Sequence, residues 1–262
     1  MFDIFDLEEN VVERLDIMIH GRKPIMSPEL EAQVMNAVQM YSKKDKWRQW
    51  GLHNLREQGA AFLLEGPPGC GKTVIANYIA RKVRRKGIVE ISFKDFGSAT
   101  PGENGRQIEQ LFKHASDNGG MTVYLDECDT ILVDRNKLGP DAQWMLEVIN
   151  ELLTQISKYK YLVILSTNRP ETLDPALARR LLAKVKVPRP DYPERMALWK
   201  QKIPSEYPVQ PTQAQLEKLA TLQLTGSDVE TIIINASSDA LRLDRKPSFL
   251  DLLTEARNQA NQ

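Results

Sequence analysis

A chain of 262 residues with 42% hydrophobic content can bury a core in one large domain, or in a large and a small one. Lys plus Arg and Asp plus Glu are both 35, so the formal net charge is zero. That balance speaks against a dedicated nucleic-acid binder while leaving room for a local basic patch.

In chain order, the acidic stretch MFDIFDLEENVVERLD lacks the layout of a signal peptide. Within it and just beyond, Leu7, Val11, Leu15 and Met18 repeat at helical spacing and predict an amphipathic helix over 6–20. Ser27 reads as an N-cap with Pro28 at the first helical position. Leu30, Val34, Ala37, Val38 and Tyr41 then form that second helix's apolar face. From residue 60 the pattern changes to short apolar runs alternating with helices. The runs are AFLLE (61–65), IVEIS (88–92), MTVYLD (121–126), YLVILST (161–167) and KVKV (184–187). Helical stretches lie near 73–86, 104–116 and 141–157, the last with a stripe of Met145, Ile149, Leu152 and Ile156. Solid apolar strands alternating with helices imply a parallel sheet covered on both faces. Beyond PRPD (188–191) only helical patterns remain, over 192–202, 212–222, 225–241 and 247–260. Thr225 with Asp228 is a capping-box-like start, with Asp in place of Glu. No apolar run approaches the length of a bilayer span. Two cysteines, Cys70 and Cys128, make no disulfide framework and suit a reducing cytosol, so a cytoplasmic protein without membrane insertion is expected.

The strongest chemical signal is GPPGCGKT, residues 66–73, which fits G-x-x-x-x-G-K-[ST], follows a predicted strand and opens a predicted helix. Glycines let the backbone wrap phosphates while amide N–H groups point inward at a helix N-terminus. In such a loop Lys72 reaches the outer phosphates and Thr73 holds Mg²⁺. The partner motif is TVYLDECD, 122–129. Asp126 at a strand's carboxyl end is placed to bind Mg²⁺ through water, and Glu127 beside it can act as general base on the attacking water. An acidic pair after a strand means little alone; downstream of a phosphate loop it is specific.

In STNRP, 166–170, Asn168 ends a strand expected beside the first, where a neutral polar side chain can orient water against a γ-phosphate. The plainer reading is an Asn serving the turn before Pro170. In LDPALARRLLAKVKVPRPD, 173–191, Arg179 and Arg180 follow a short helix-like turn. Arginine suits the charge of a transferring phosphoryl group and can act in trans, although an Arg pair is more often a solvated surface feature.

These four motifs in this order resemble the AAA ATPase family, in the branch with the second region of homology, over about residues 47–260. GPPGCGKT is similar to the family's GPPGTGKT except at Cys70, and STNRPETLDPAL is similar to its ATNRPxxLDPAL. ARRLLAKV is shorter than the family's longer R-P-G-R-F-D form and resembles the branch containing katanin and spastin. LTGSDVETIIINAS (224–237) resembles the segment YSGADIxxLxxEAA. The resemblance implies ATP and Mg²⁺ as cofactors. It implies nucleotide contacts by Gly66, Pro67, Pro68, Gly69, Cys70, Gly71, Lys72, Thr73 and Val74, with Gly226 and Ser227 near the adenine. It implies metal binding by Thr73 and Asp126, catalysis by Glu127, Lys72 and Asn168 (the sensor-1 position), and arginine fingers Arg179 and Arg180 inserted into a neighbouring subunit's site. That arrangement implies a homo-oligomeric ring, most often a hexamer.

The same resemblance aligns GENGR on the family's G-E-G-A-R, so Ala99, Thr100 and Pro101 fall on the pore loop. Thr100 stands where relatives carry the aromatic residue that grips a substrate polypeptide, and Phe93 and Phe96 suit packing rather than the pore. The basic run 81–86 complements a helix C-terminus before Gly87, a better reading than a nucleic-acid patch. Cys70 beside Lys72 at a helix N-terminus is a position expected to lower a thiol pKa and so to allow a redox switch, but it reads first as a small residue in the slot Thr fills elsewhere.

The expectation is therefore an α/β fold, a P-loop NTPase parallel five-stranded sheet (the AAA+ large domain) followed by a small C-terminal helical lid. Residues 1–46 form an N-terminal helical extension, 47–190 the nucleotide-binding domain and 191–262 the lid, with ATP at their junction and at the subunit interface. The expected function is a ring-forming ATPase that remodels a protein partner without threading it through a pore. The alternative is a nucleotide-gated switch or loader acting on a partner complex, with or without nucleic acid. Partner or adaptor proteins are expected; direct nucleic-acid binding is disfavoured.

Overall fold

The computed structural model describes residues 23–43, 46, 49–50, 60–83, 87–91, 103–139 and 142–261. The predicted helix over 6–20, the loop 97–102 with Thr100, both nearby phenylalanines and the end of the basic run lie outside the described residues.

Ser27 caps helix α1 (Pro28–Ser42) as expected, its Oγ accepting the Leu30 N–H at 3.2 Å. The apolar face Leu30, Val34, Ala37, Val38 and Tyr41 is buried, and Tyr41 meets Phe62 edge to face at 6.4 Å. Five parallel strands follow: β1 (Ala60–Glu65), β2 (Ile88–Ile91), β3 (Thr122–Leu125), β4 (Leu162–Thr167) and β5 (Leu181–Lys186). Their order across the sheet is β2-β3-β4-β1-β5. Between them run α2 (Lys72–Lys82), α3 (Glu103–Asp117), α4 (Gln143–Lys158) and a single turn, α5 (Pro175–Ala178).

Strand alternation sorts the sheet's side chains onto two faces. Ala61, Leu63, Val123, Leu125, Val163 and Leu165 pack with Ile108 and Phe112 of α3 and with Ile149, Leu152 and Ile156 of α4. The opposite parity, including Phe62, Leu64, Tyr124 and Ile164, is equally buried; α2 packs along β1 and β4. The strand expected at KVKV begins earlier, at Leu181. Leu181 pairs with Ala61, and a register shift brings Ala183 opposite Phe62. Leu181 and Leu182 carry no strand pattern of their own, and pairing with β1 makes them strand. Lys184 and Lys186 are exposed on this edge strand, where charge discourages further pairing.

The described residues group into two compact units. One is built on the sheet (Ala32–Gly66 and Lys72–Lys186), the other comprises Pro24–Glu31, Pro67–Gly71 and Val187–Gln262. Helices α6 (Tyr192–Lys202), α7 (Gln213–Ala220), α8 (Gly226–Arg242) and α9 (Phe249–Ala260) make up most of the second unit. Each opens with a reciprocal capping box, at Asp191, Thr212, Thr225 and Ser248. Four such boxes satisfy the otherwise orphaned first-turn N–H groups and fix where each helix starts. Trp199, Leu219, Val229, Ile232, Ala236, Leu252 and Ala256 form this unit's own core. No described helix is long and apolar enough to cross a membrane.

Candidate active site

The phosphate-loop motif joins β1 to α2. Gly66 leaves β1 with its N–H donated to the Thr167 carbonyl at 3.2 Å. Gly69 (φ 72°) and Gly71 (φ 83°) adopt the left-handed conformations that glycine takes without strain. A Cβ at Gly69 would lie 2.6 Å from Thr225 Oγ1 and 2.8 Å from Ser227 Oγ, so crowding as well as φ demands glycine there. The Gly69 carbonyl accepts the Ser227 N–H at 3.4 Å and lies 3.6 Å from a Cβ built on Gly226. Pro67 and Pro68 lead into this turn; the Cys70 thiol, half-buried, lies 3.7 Å from the Pro68 carbonyl. Val74 is exposed on the first turn of α2.

Lys72 opens α2 and is buried. A buried ammonium needs acceptors, and its Nζ donates to the Gly66 carbonyl at 2.9 Å and to Asn168 Oδ1 at 2.6 Å. Parallel pairing of β1 with β4, in the register Glu65 to Thr167, brings Asn168 alongside the start of the loop. One residue on, the Thr73 hydroxyl donates to Asp126 Oδ2 and accepts the Tyr124 phenol, both at 3.2 Å. Asp126 Oδ1 accepts the Ser166 hydroxyl and, at 3.0 Å, the Glu127 N–H. The ends of β1, β3 and β4 thus carry two neighbouring polar clusters, Lys72 with Asn168 and Thr73 with Tyr124, Asp126 and Ser166, set side by side because Lys72 and Thr73 are adjacent in the chain.

Glu127 is exposed and its backbone is left-handed (φ 48°, ψ 46°). Its carbonyl is held by the Thr130 hydroxyl at 2.7 Å and the Thr130 N–H at 2.9 Å, within the short 3₁₀ turn Cys128–Thr130. Asp129 in that turn accepts the Thr167 hydroxyl at 2.8 Å and the Asn168 N–H at 3.2 Å, fixing the chain from which Asn168 projects. Burial pushes the Tyr124 phenol well above its ordinary range, so it remains a proton donor. Burial does the same to the Cys128 thiol, which is therefore unreactive.

The arginine segment is anchored separately. Val133 and Leu173 form an antiparallel bridge, flanked by Asp134 N–H to Thr172 O and Asp174 N–H to Leu132 O. Asp174 is buried, caps α5 through the Ala176 N–H at 2.8 Å, and accepts Arg135 Nε at 2.6 Å. Burial raises its pKa, but hydrogen bonds from Arg135 and Ala176 outweigh that and hold the carboxyl below the usual value. Arg180 is turned back on its own chain, Nε reaching the Leu153 carbonyl at 3.0 Å and Ser157 Oγ at 2.7 Å, Nη1 the Ala176 carbonyl at 2.7 Å. The Arg179 side chain is exposed and makes no hydrogen bond or ion pair among the described residues. Hydrogen bonds thus bring Lys72, Thr73, Asp126 and Asn168 together with Glu127 adjacent, and bring neither arginine to them. Sequence reasoning missed Tyr124, Ser166, Asp129 and the Arg135–Asp174 pair.

Thr73 and Asp126 offer a hydroxyl and a carboxylate oxygen 3.2 Å apart. Among the described residues no group of three His, Cys, Asp or Glu side chains gathers to make an all-protein cage. Mg²⁺ is commonly held by one or two protein oxygens with waters and phosphates, and this donor pair fits it.

Comparison with known proteins agrees with this geometry. The sequence pattern of the "ATPase family associated with various cellular activities (AAA)" matches residues 62–189. The chain is 29% identical over 255 residues to the ATP-dependent zinc metalloprotease FtsH 1 of Sphaerobacter thermophilus, covering 91% of this chain and 38% of that protein. It is 29% identical over 196 residues to the probable 26S proteasome regulatory subunit 6B of Caenorhabditis elegans (70% of this chain, 46% of that one). It is 30% identical over 196 residues to the cell division cycle protein 48 homolog of Archaeoglobus fulgidus (72% and 26%). The chain therefore spans less than half the length of each of these relatives. With its phosphate loop, acidic strand end and Asn-bearing neighbour strand in one parallel sheet, this chain belongs to the AAA ATPase family.

Proposed function

We propose that the chain hydrolyses ATP and uses the cycle to remodel a protein partner from within a homo-oligomeric ring. The observation that supports this reading is that the Lys72–Asn168 pair and the Thr73–Asp126–Glu127 cluster lie at three neighbouring strand ends. Gly66 to Val74 cradle the phosphates, Lys72 reaches the outer ones, and Gly226 with Ser227 contact the adenine. Thr73 and Asp126 hold Mg²⁺, which when bound neutralises phosphate charge. Asn168 orients a water, and Glu127 takes its proton as the water oxygen bonds to the γ-phosphorus. The bond to the bridging oxygen breaks, and ADP and phosphate leave.

The arginines complete the site from a neighbouring subunit. Arg179 is the group available for that role, because Arg180 is already held by α4 and α5. The reading includes a ring of six, a sheet domain over 47–190 and a lid over 191–262, by likeness to the family, and two free cysteines fit a cytoplasmic setting. A protein target follows from relatives whose names describe an ATP-dependent protease and a proteasome regulatory subunit. Leverage rather than threading rests on Thr100 at the position where the pore aromatic is expected.

The test is phosphate release with Mg²⁺ and ATP, in the presence of unfolded polypeptide, DNA or RNA. We expect Mg²⁺-dependent turnover that none of the three stimulates. Stimulation by unfolded polypeptide would restore threading, and stimulation by DNA or RNA would replace remodelling with loading. Absence of ATP turnover under any of these conditions would overturn the whole reading.

A further inference from the structure

The Tyr124 side chain is 1% exposed in the middle strand pair of the sheet, opposite Ile164 of β4. An aromatic ring alone would fill that space. The hydroxyl adds a donor, and it is spent on Thr73.

A threonine hydroxyl has one proton and two lone pairs. At Thr73 the proton goes to Asp126 Oδ2 and one lone pair accepts the phenol proton. One lone pair is left. Without the phenol, the hydroxyl is held only by the carboxylate, and either lone pair can face a cation. Asp126 is itself fixed from its other oxygen by Ser166 and by the Glu127 N–H. The phenol lies 3.2 Å from the Thr73 hydroxyl, at the end of the strand that leads into Asp126.

We propose that Tyr124 is a positioning residue for the cation site, its phenol orienting the Thr73 hydroxyl so that the remaining lone pair is presented to Mg²⁺. This rests on the reading that Thr73 and Asp126 hold the metal.

The test uses the full chain and reads binding of a fluorescent ADP analogue, with thermal melting alongside, across a Mg²⁺ titration and in EDTA. Tyr124→Phe should leave binding in EDTA within about twofold and raise the half-saturating Mg²⁺ concentration roughly 3- to 10-fold, the span of one hydrogen bond. An unchanged half-saturation, or equal losses in EDTA and in Mg²⁺, would overturn the proposal, because packing damage affects both conditions alike. Thr73→Ser keeps the hydroxyl and lacks the methyl that restricts its rotamer. Combined with Tyr124→Phe, it should raise the half-saturating Mg²⁺ concentration by more than the product of the two single changes, because phenol and methyl hold the same hydroxyl. A double variant that is simply multiplicative would count against the inference. If the parent chain binds ADP equally with Mg²⁺ and EDTA, the metal reading itself falls.

Discussion

Lys72 Nζ lies 2.6 Å from Asn168 Oδ1, a charge-assisted hydrogen bond between the first residue of α2 and the residue that follows β4. Asp129 accepts the Asn168 backbone N–H, so the residue is anchored at its main chain as well as at its side-chain oxygen. Asn168→Ala should lower kcat by about 10²-fold, the cost typical of misplaced reacting groups, with KM changed only a few-fold. Asn168→Asp should act differently. A carboxylate would grip the lysine more firmly than an amide does, so KM for ATP should rise as well. Steady-state kinetics on the two variants separate orientation from competition; identical effects would mean the lysine contact is immaterial.

Glu127→Gln removes the base while keeping size and hydrogen-bonding capacity. Turnover should fall roughly 10²- to 10⁴-fold, the usual contribution of a general base, while nucleotide affinity is retained. Phosphate release and equilibrium binding of a fluorescent ATP analogue measure the two independently. A variant that turns over like the parent would remove Glu127 from the mechanism.

The two arginines should part company. Arg180 makes three hydrogen bonds within its own chain; Arg180→Ala should destabilise the fold by about 2 kcal/mol, as charged hydrogen bonds of this kind do. Arg179→Ala should leave melting unchanged and abolish turnover. Mixing Arg179→Ala with Lys72→Ala subunits should restore part of the activity, because each supplies what the other lacks. No recovery at any ratio would argue against a finger acting in trans.

Asp174 carries a pH signature. Its folded carboxyl titrates below the ordinary 3.8, so the folded state holds the ionised form more tightly than the unfolded state does. The resulting stability is complete above that value and is lost as pH falls below it towards the folded pKa. Denaturant midpoints measured from neutral pH down to about pH 3 should therefore decline more steeply in the parent than in Asp174→Asn. The Asn variant should also be less stable at neutral pH, because Arg135 and the α5 cap lose their charged acceptor.

Sequence pattern located most of the fold because its signals are local. Capping residues named helix starts at Ser27 and Thr225, and the α6 boundaries 192–202 were read directly. GPPGCGKT announced itself through spacing. What stayed hidden depends on strands meeting. Tyr124 reads as one more apolar-strand aromatic until α2 sets Thr73 beside it. Ser166 and Asp129 matter only because β3 and β4 are neighbours, which periodicity cannot reveal. Leu181 and Leu182 became strand only by pairing with β1, against the helical trend of the residues before them.

The left-handed backbone at Glu127 has a cost that the fold bears at the residue proposed as general base. Such a conformation disfavours any non-glycine side chain by about 1–3 kcal/mol. Glycine would relax it, so Glu127→Gly should melt higher than the parent while releasing no phosphate. A search among variants of this chain for thermostability alone would drift toward inactive proteins at this position. On the proposed mechanism, the Glu127 carboxylate is a group that function holds against the preference of the polypeptide that carries it.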